Sequence, residues 1–137
     1  MKNKILVVLM LILLTVGLFT TFVLSADVPM MTKDELKAML GKPDLFLVDV
    51  RLGRDFIFSD LKIKGAERPP DMGHVTPTQF STVIGRDKTF VFYCACPNEQ
   101  TSIGIAQLFI RLEYTKVYVL KGGWEEWLKA GYPTEKK

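Results

Sequence analysis

Hydrophobic residues fall along this chain in short runs that alternate between strand-like and helix-like spacing. Thr89-Phe90-Val91-Phe92-Tyr93 is a β-branched and aromatic run of the buried-strand kind, and Ile103 to Leu112 is a mostly apolar stretch long enough for three helical turns. Leu45 to Val50 reads as a second strand, apolar on both faces until Asp49, the pattern of a central parallel strand covered on both sides. Lys116 to Leu120 is a third. The polar positions between them punctuate. Thr32-Lys33-Asp34-Glu35 is a capping box that opens a short helix to about Leu40, where Gly41 and Pro43 stop it. Arg54 to Phe58 suits a single helical turn, and Pro69-Pro70 halts regular structure after Leu61 to Ala66. Thr76-Pro77-Thr78-Gln79 has the form of another capped start, with Phe80, Val83 and Ile84 as its apolar face and Gly85 as its end. A helix from about Ser102 to Leu112 follows the second cysteine. After the third strand, Lys121-Gly122-Gly123-Trp124 is a tight turn, and Trp124 to Ala130 a last short helix closed by Gly131 and Pro133. Strands alternating with helices predict an α/β domain with a mainly parallel sheet.

The N-terminus breaks this pattern. Lys2 and Lys4 precede a run from Ile5 to Leu24 without a charge, ending near the small residues Ser25 and Ala26. Residues 1–26 are therefore expected to be a signal peptide cleaved near Ser25/Ala26. At ~1.5 Å per helical residue the run also matches the ~30 Å hydrocarbon thickness of a bilayer, so an uncleaved anchor is the alternative. Both place residues 27–137, a single domain, beyond the membrane, in a bacterial periplasm or at the outer face of the cytoplasmic membrane. Without Lys2 and Lys4 the formal charge falls from +3 to +1, and no basic cluster with interleaved aromatics remains, which argues against nucleic acid as a partner. Membrane contact is expected through the N-terminal segment alone.

Candidate chemistry concentrates in Tyr93-Cys94-Ala95-Cys96-Pro97-Asn98-Glu99-Gln100-Thr101-Ser102, the loop that joins a strand to a helix. That edge of an open α/β sheet is where ligands bind, and the free amides of the helix N-terminus favour an anion such as a thiolate. Exported proteins use cysteines for structural disulfides. A bond across Cys94-Ala95-Cys96, however, closes almost no chain and restricts the unfolded state little, so the pair reads as chemical.

In this setting the chain resembles the rhodanese-like sulfurtransferase domain from about Met30 to Pro133. The resemblance rests on Asp49-Val50-Arg51 after an apolar strand, on Gly65-Ala66, and on Tyr93-Cys94 at a strand end. It extends to Gly122-Gly123 with Trp127 four residues on, and to Ala130-Gly131-Tyr132-Pro133. It implies a mainly parallel central sheet with helices on both faces, and Cys94 as the nucleophile that takes up sulfane sulfur as a persulfide. The amides of Ala95, Cys96, Asn98, Glu99, Gln100 and Thr101 are then expected to cradle the outer sulfur. Cys96 is a candidate resolving thiol that could close a disulfide on Cys94 and release sulfide. Asp49 and Arg51 are expected to support the strand end, with Arg51 near the same sheet edge.

The departures from the family pattern matter as much. The usual Gly-His-Ile is replaced by Leu61-Lys62-Ile63-Lys64. The arginine expected after Cys and four residues is Glu99, and the phosphatase position one further is Gln100. Phosphatase and arsenate reductase chemistry needs that guanidinium to clamp an oxyanion. A carboxylate there also disfavours thiosulfate, so thiol persulfides or polysulfides are the expected donors and a thiol the acceptor. A protein partner is compatible with this loop. No cofactor is expected: Cys-x-Cys with one distant histidine, His74, is a poor metal site. The alternative readings are a periplasmic thiol–disulfide protein using Cys94 and Cys96, and a non-catalytic binding module.

Overall fold

The computed structural model describes residues 27–79 and 85–137. The predicted leader and the apolar face of Phe80, Val83 and Ile84 lie outside the described residues. A strand β1 (Met30–Met31) leads to helix α1 (Lys33–Met39), whose N-terminus carries the expected capping box. Thr32 Oγ1 accepts from Glu35 N at 3.3 Å while Glu35 Oε2 accepts from Thr32 N at 2.8 Å. Strand β2 (Leu45–Asp49), the short helix α2 (Gly53–Ile57) and strand β3 (Leu61–Ile63) follow. A 3₁₀ turn, Pro77–Gln79, precedes strand β4 (Thr89–Tyr93), and a second 3₁₀ turn, Pro97–Glu99, leads into helix α3 (Gln100–Arg111). Strand β5 (Val117–Leu120), helix α4 (Gly123–Lys129) and strand β6 (Thr134–Lys136) complete the chain.

The main sheet is four-stranded and parallel throughout, in the order β1-β5-β4-β2. Alternation along β4 divides the core. Phe90, Phe92 and Cys94 join Ala106 and Phe109 of α3 on one face, and Val91 and Tyr93 join Leu36 of α1 and Trp124 and Trp127 of α4 on the other. Helices thus cover both faces, which is why β4 is buried at every position.

Two expectations, for β2 and for Gln79, need correction, and two strands arise that no sequence pattern marked. Strand β2 is the outermost strand, not a central one. Its outer edge is covered by Glu67, whose carbonyl accepts from Asp49 N and whose N–H donates to Leu47 O, both at 2.8 Å, and that cover explains its apolar character. Met30–Met31 and Thr134–Lys136, which carry no strand signal, pair with distant partners: β1 with β5, and β6 with β3 antiparallel. Gln79 does not complete a capping box; its amide donates to Asp71 O and His74 O instead.

Candidate active site

Strand β4 ends at Tyr93, and the next residue, Cys94, stands at the C-terminal edge of the sheet. The strand alternation that turns Tyr93 into one core turns Cys94 into the other, leaving the cysteine 2% exposed. The chain then reverses through Ala95, Cys96 and Pro97. Asn98 (φ 53°) and Glu99 (φ 52°) both adopt the left-handed conformation, which directs the backbone into α3. Cys94 and Cys96 are joined by a disulfide. Thr101 N, in the first turn of α3, donates to Cys96 Sγ at 3.4 Å. Among the described residues it is the one amide bonded to sulfur, and the loop that carries the amides of Ala95, Cys96, Asn98, Glu99, Gln100 and Thr101, expected to cradle the outer sulfur of a persulfide, holds the Cys94–Cys96 disulfide. The left-handed pair at Asn98 and Glu99 sets the direction of the amides that follow, and the one that reaches sulfur, that of Thr101, reaches Cys96. In the same turn Ser102 is fully buried, and its hydroxyl has no partner among the described residues.

The other wall comes from the β5–α4 turn. Trp124 N donates to Cys94 O at 2.9 Å, and a Cβ on Gly123 would collide with that same carbonyl oxygen. Gly123 also sits at φ +51°, so the second glycine of the pair is required twice over, by conformation and by approach. Gly122 N donates to Glu99 Oε1 at 2.7 Å. The carboxylate that occupies the arginine position therefore ties the cysteine loop to this turn, and it does not cap α3, whose N-cap it is. Between the two loops lies a cavity of about 220 Å³ lined by Cys94, Ala95, Cys96, Pro97, Gly122 and Glu125. None of these described lining residues is basic.

Asp49 and Arg51 form a fully buried ion pair beneath this edge. Arg51 Nε donates to both carboxylate oxygens at 2.9 and 3.0 Å, Nη2 donates to Leu61 O at 3.0 Å, and the guanidinium stacks 4.2 Å from the Trp124 ring centroid. Arg51 thereby holds β2, β3 and Trp124 through Nε, Nη2 and its ring contact, its buried Nη1 has no partner among the described residues, and it is not among the cavity's lining residues. Arg68 donates to Arg51 O at 2.9 Å and stacks on Phe56, and burial lowers its pKa from the usual arginine value. The Tyr93 hydroxyl accepts from Ile63 N at 3.2 Å. Burial first, and the Asp49 charge second, push its pKa far above the usual tyrosine range. His74 is exposed and pairs with Asp71 at 3.2 Å, away from the cavity's lining.

Sequence reasoning passed over Glu125 and the contact between Gly123 and Cys94. The signal for the second was present in Gly122-Gly123-Trp124, since a paired glycine ahead of a helix often marks a close backbone approach.

The chain matches the family profile described as Rhodanese-like domain over residues 32–130. The chain belongs to the rhodanese-like domain family. Its fold is similar to that of the rhodanese-like domain of the Alr3790 protein from Anabaena sp., at 26% identity and a TM-score of 0.63, with 81% of each chain covered. It is also similar to RPA3614 from Rhodopseudomonas palustris CGA009, described as a protein of unknown function and possible tyrosine phosphatase. There the identity is 28% and the TM-score 0.59, covering 79% of this chain and 85% of that one. An EanB variant solved with ergothioneine covalently linked through a persulfide cysteine shares the fold at 23% identity and a TM-score of 0.65. In that case 80% of this chain is covered, but only 28% of EanB. No curated protein matches the chain. Rhodanese-like membership supports a sulfurtransferase-type or sulfur-binding role.

Proposed function

We propose that this rhodanese-like domain is a sulfurtransferase in which Cys94 takes sulfane sulfur from a small thiol persulfide or polysulfide, forming a persulfide. The observation that carries this reading is the 220 Å³ cavity over the two sulfurs, which has Glu125 in its lining and no lysine or arginine among its described lining residues. A dianion such as thiosulfate meets a carboxylate there and no basic residue among the described lining, whereas a thiol persulfide brings less charge. The same argument opposes phosphatase chemistry, for which the oxyanion lacks a guanidinium clamp. An EanB structure that shares this fold over 28% of its own chain is described with a persulfide cysteine, which supports the reading.

Residues 1–26 act in this reading as signal peptide or anchor and deliver the domain to the periplasm or the outer membrane face. The Cys94–Cys96 disulfide suits such an oxidising compartment. That disulfide also favours a second reading, plain thiol–disulfide exchange without sulfur transfer.

The test compares donors. Reduced protein mixed with glutathione persulfide should release glutathione, and Cys94→Ser should abolish that release. With thiosulfate and cyanide, turnover should fall at least about tenfold below that of an arginine-bearing rhodanese, which is ~1.4 kcal/mol of lost transition-state binding. Equal turnover on thiosulfate overturns the donor assignment, and glutathione release that survives Cys94→Ser overturns the role of Cys94.

A further inference from the structure

We infer that the domain ends its reaction by releasing sulfide, with Cys96 reducing the Cys94 persulfide, so that the protein works as a persulfide reductase and not as a lasting sulfur carrier. This rests on the Cys94 reading above and deepens it.

Three observations carry it. The sulfurs of Cys94 and Cys96 are within bonding reach, since they are bonded to each other here. A persulfide on Cys94 therefore keeps its inner sulfur beside the Cys96 thiol. Thr101 N, at the start of α3, donates to Cys96 Sγ, and a helix N-terminal amide favours the anionic form of that sulfur, the form that attacks. Cys94 is 2% exposed, and its backbone is fixed by the Trp124 N–H, whereas Cys96 is only half-buried. An external thiol must enter a small cavity to reach the persulfide, while Cys96 is already in place. Held intramolecular partners reach effective concentrations of about 10⁵ M or more, far beyond any free thiol.

The chemistry balances in two steps. Cys94 thiolate attacks the outer sulfur of a thiol persulfide, forms the Cys94 persulfide and expels the donor's thiolate. Cys96 thiolate then attacks Cys94 Sγ, the new S–S bond forms, and the outer sulfur leaves as hydrosulfide with the bonding electron pair. The sulfane sulfur is reduced by two electrons, and the two protein thiols are oxidised to the disulfide present in the structure. An external dithiol returns the protein to its reduced state by exchange, entering at Cys96, the less buried sulfur.

The experiment takes the reduced full-length protein without oxygen, adds one equivalent of glutathione persulfide, and measures intact mass together with free sulfide. The wild type should end about 2 Da lighter, with one equivalent of sulfide released, whereas Cys96→Ser should end about 32 Da heavier, the added sulfur atom, and release none. A wild type that stays about 32 Da heavier, as Cys96→Ser does, overturns sulfide release and leaves the Cys94 persulfide standing. A Cys96→Ser protein that loads no sulfur, or carries the glutathionyl group instead, overturns the persulfide on which both steps depend. The wild-type mass and sulfide yield decide the question of release even if the variant folds poorly.

Discussion

Replacing Gly123 with alanine tests how the β5–α4 turn supports the cysteine loop. Gly123 lies at φ +51°, where an L-residue costs about 1–2 kcal/mol. Its new Cβ would also meet Cys94 O inside contact distance, and that oxygen is backbone that cannot swing away. Relief requires the turn and the loop to part, which weakens the 2.9 Å bond from Trp124 N to Cys94 O, worth about 0.5–1.5 kcal/mol. The total comes to about 1.5–3.5 kcal/mol. Gly41→Ala is the control. Gly41 has φ +80° and nothing within 4 Å of a built Cβ, so it pays the conformational cost alone. In urea denaturation both variants should keep the wild-type m-value. Gly123→Ala should unfold at a midpoint lower than Gly41→Ala by ~0.5–1 M, the shift expected from a further ~1 kcal/mol at a typical m. Moving the Cys94 carbonyl also displaces the nucleophile, so sulfur loading by Gly123→Ala should slow by about ten- to a hundredfold, while Gly41→Ala loads normally. Coincident midpoints for the two variants would refute the argument that close approach to Cys94 is what demands this glycine.

Two further outcomes follow from the buried polar groups. Asp49→Asn leaves the fully buried Arg51 guanidinium without its counter-charge and should cost about 3–5 kcal/mol, a large part of a small domain's stability. The double variant Asp49→Asn/Arg51→Met should melt higher than Asp49→Asn alone, and thermal melts that rank them the other way refute the pairing energetics. Tyr93 has a pKa raised by burial, so the folded state keeps a proton that the unfolded state loses above pH ~10. Its contribution is complete below that pH and drains away as pH rises toward the elevated folded-state value, at up to about 1.4 kcal/mol per pH unit. Tyr93→Phe should be less stable than wild type at pH 8, because Ile63 N loses its acceptor, yet show a shallower decline between pH 10 and 11. Parallel melting curves across that range would contradict this.

Features set by near neighbours in the chain were legible in the sequence. The capping box of Thr32 and Glu35 is a local exchange of two hydrogen bonds three residues apart, and it forms as read. The run Thr89–Tyr93 is a strand with the predicted bounds, because an unbroken β-branched and aromatic stretch suits burial on both faces whatever its partner. The alternation of strands and helices gave the parallel α/β architecture for the same reason. Tertiary structure alone decided matters that depend on which distant segments meet. Met30–Met31 and Thr134–Lys136 are too short and too polar or plain to signal a strand, and they become strands through the edges offered by β5 and β3. Strand β2 has the composition of a central strand and the position of an outer one, since Glu67 supplies the missing edge. At the site, sequence marked the cysteine loop and the absence of its arginine. It could not assign Glu99 to the Gly122 amide, 23 residues away, nor direct the Thr101 amide to Cys96 in place of Cys94. Both depend on the left-handed turn at Asn98 and Glu99 and on the approach of the Gly122-Gly123 turn, and those are set by the packing of α3 and α4 on opposite faces of one sheet.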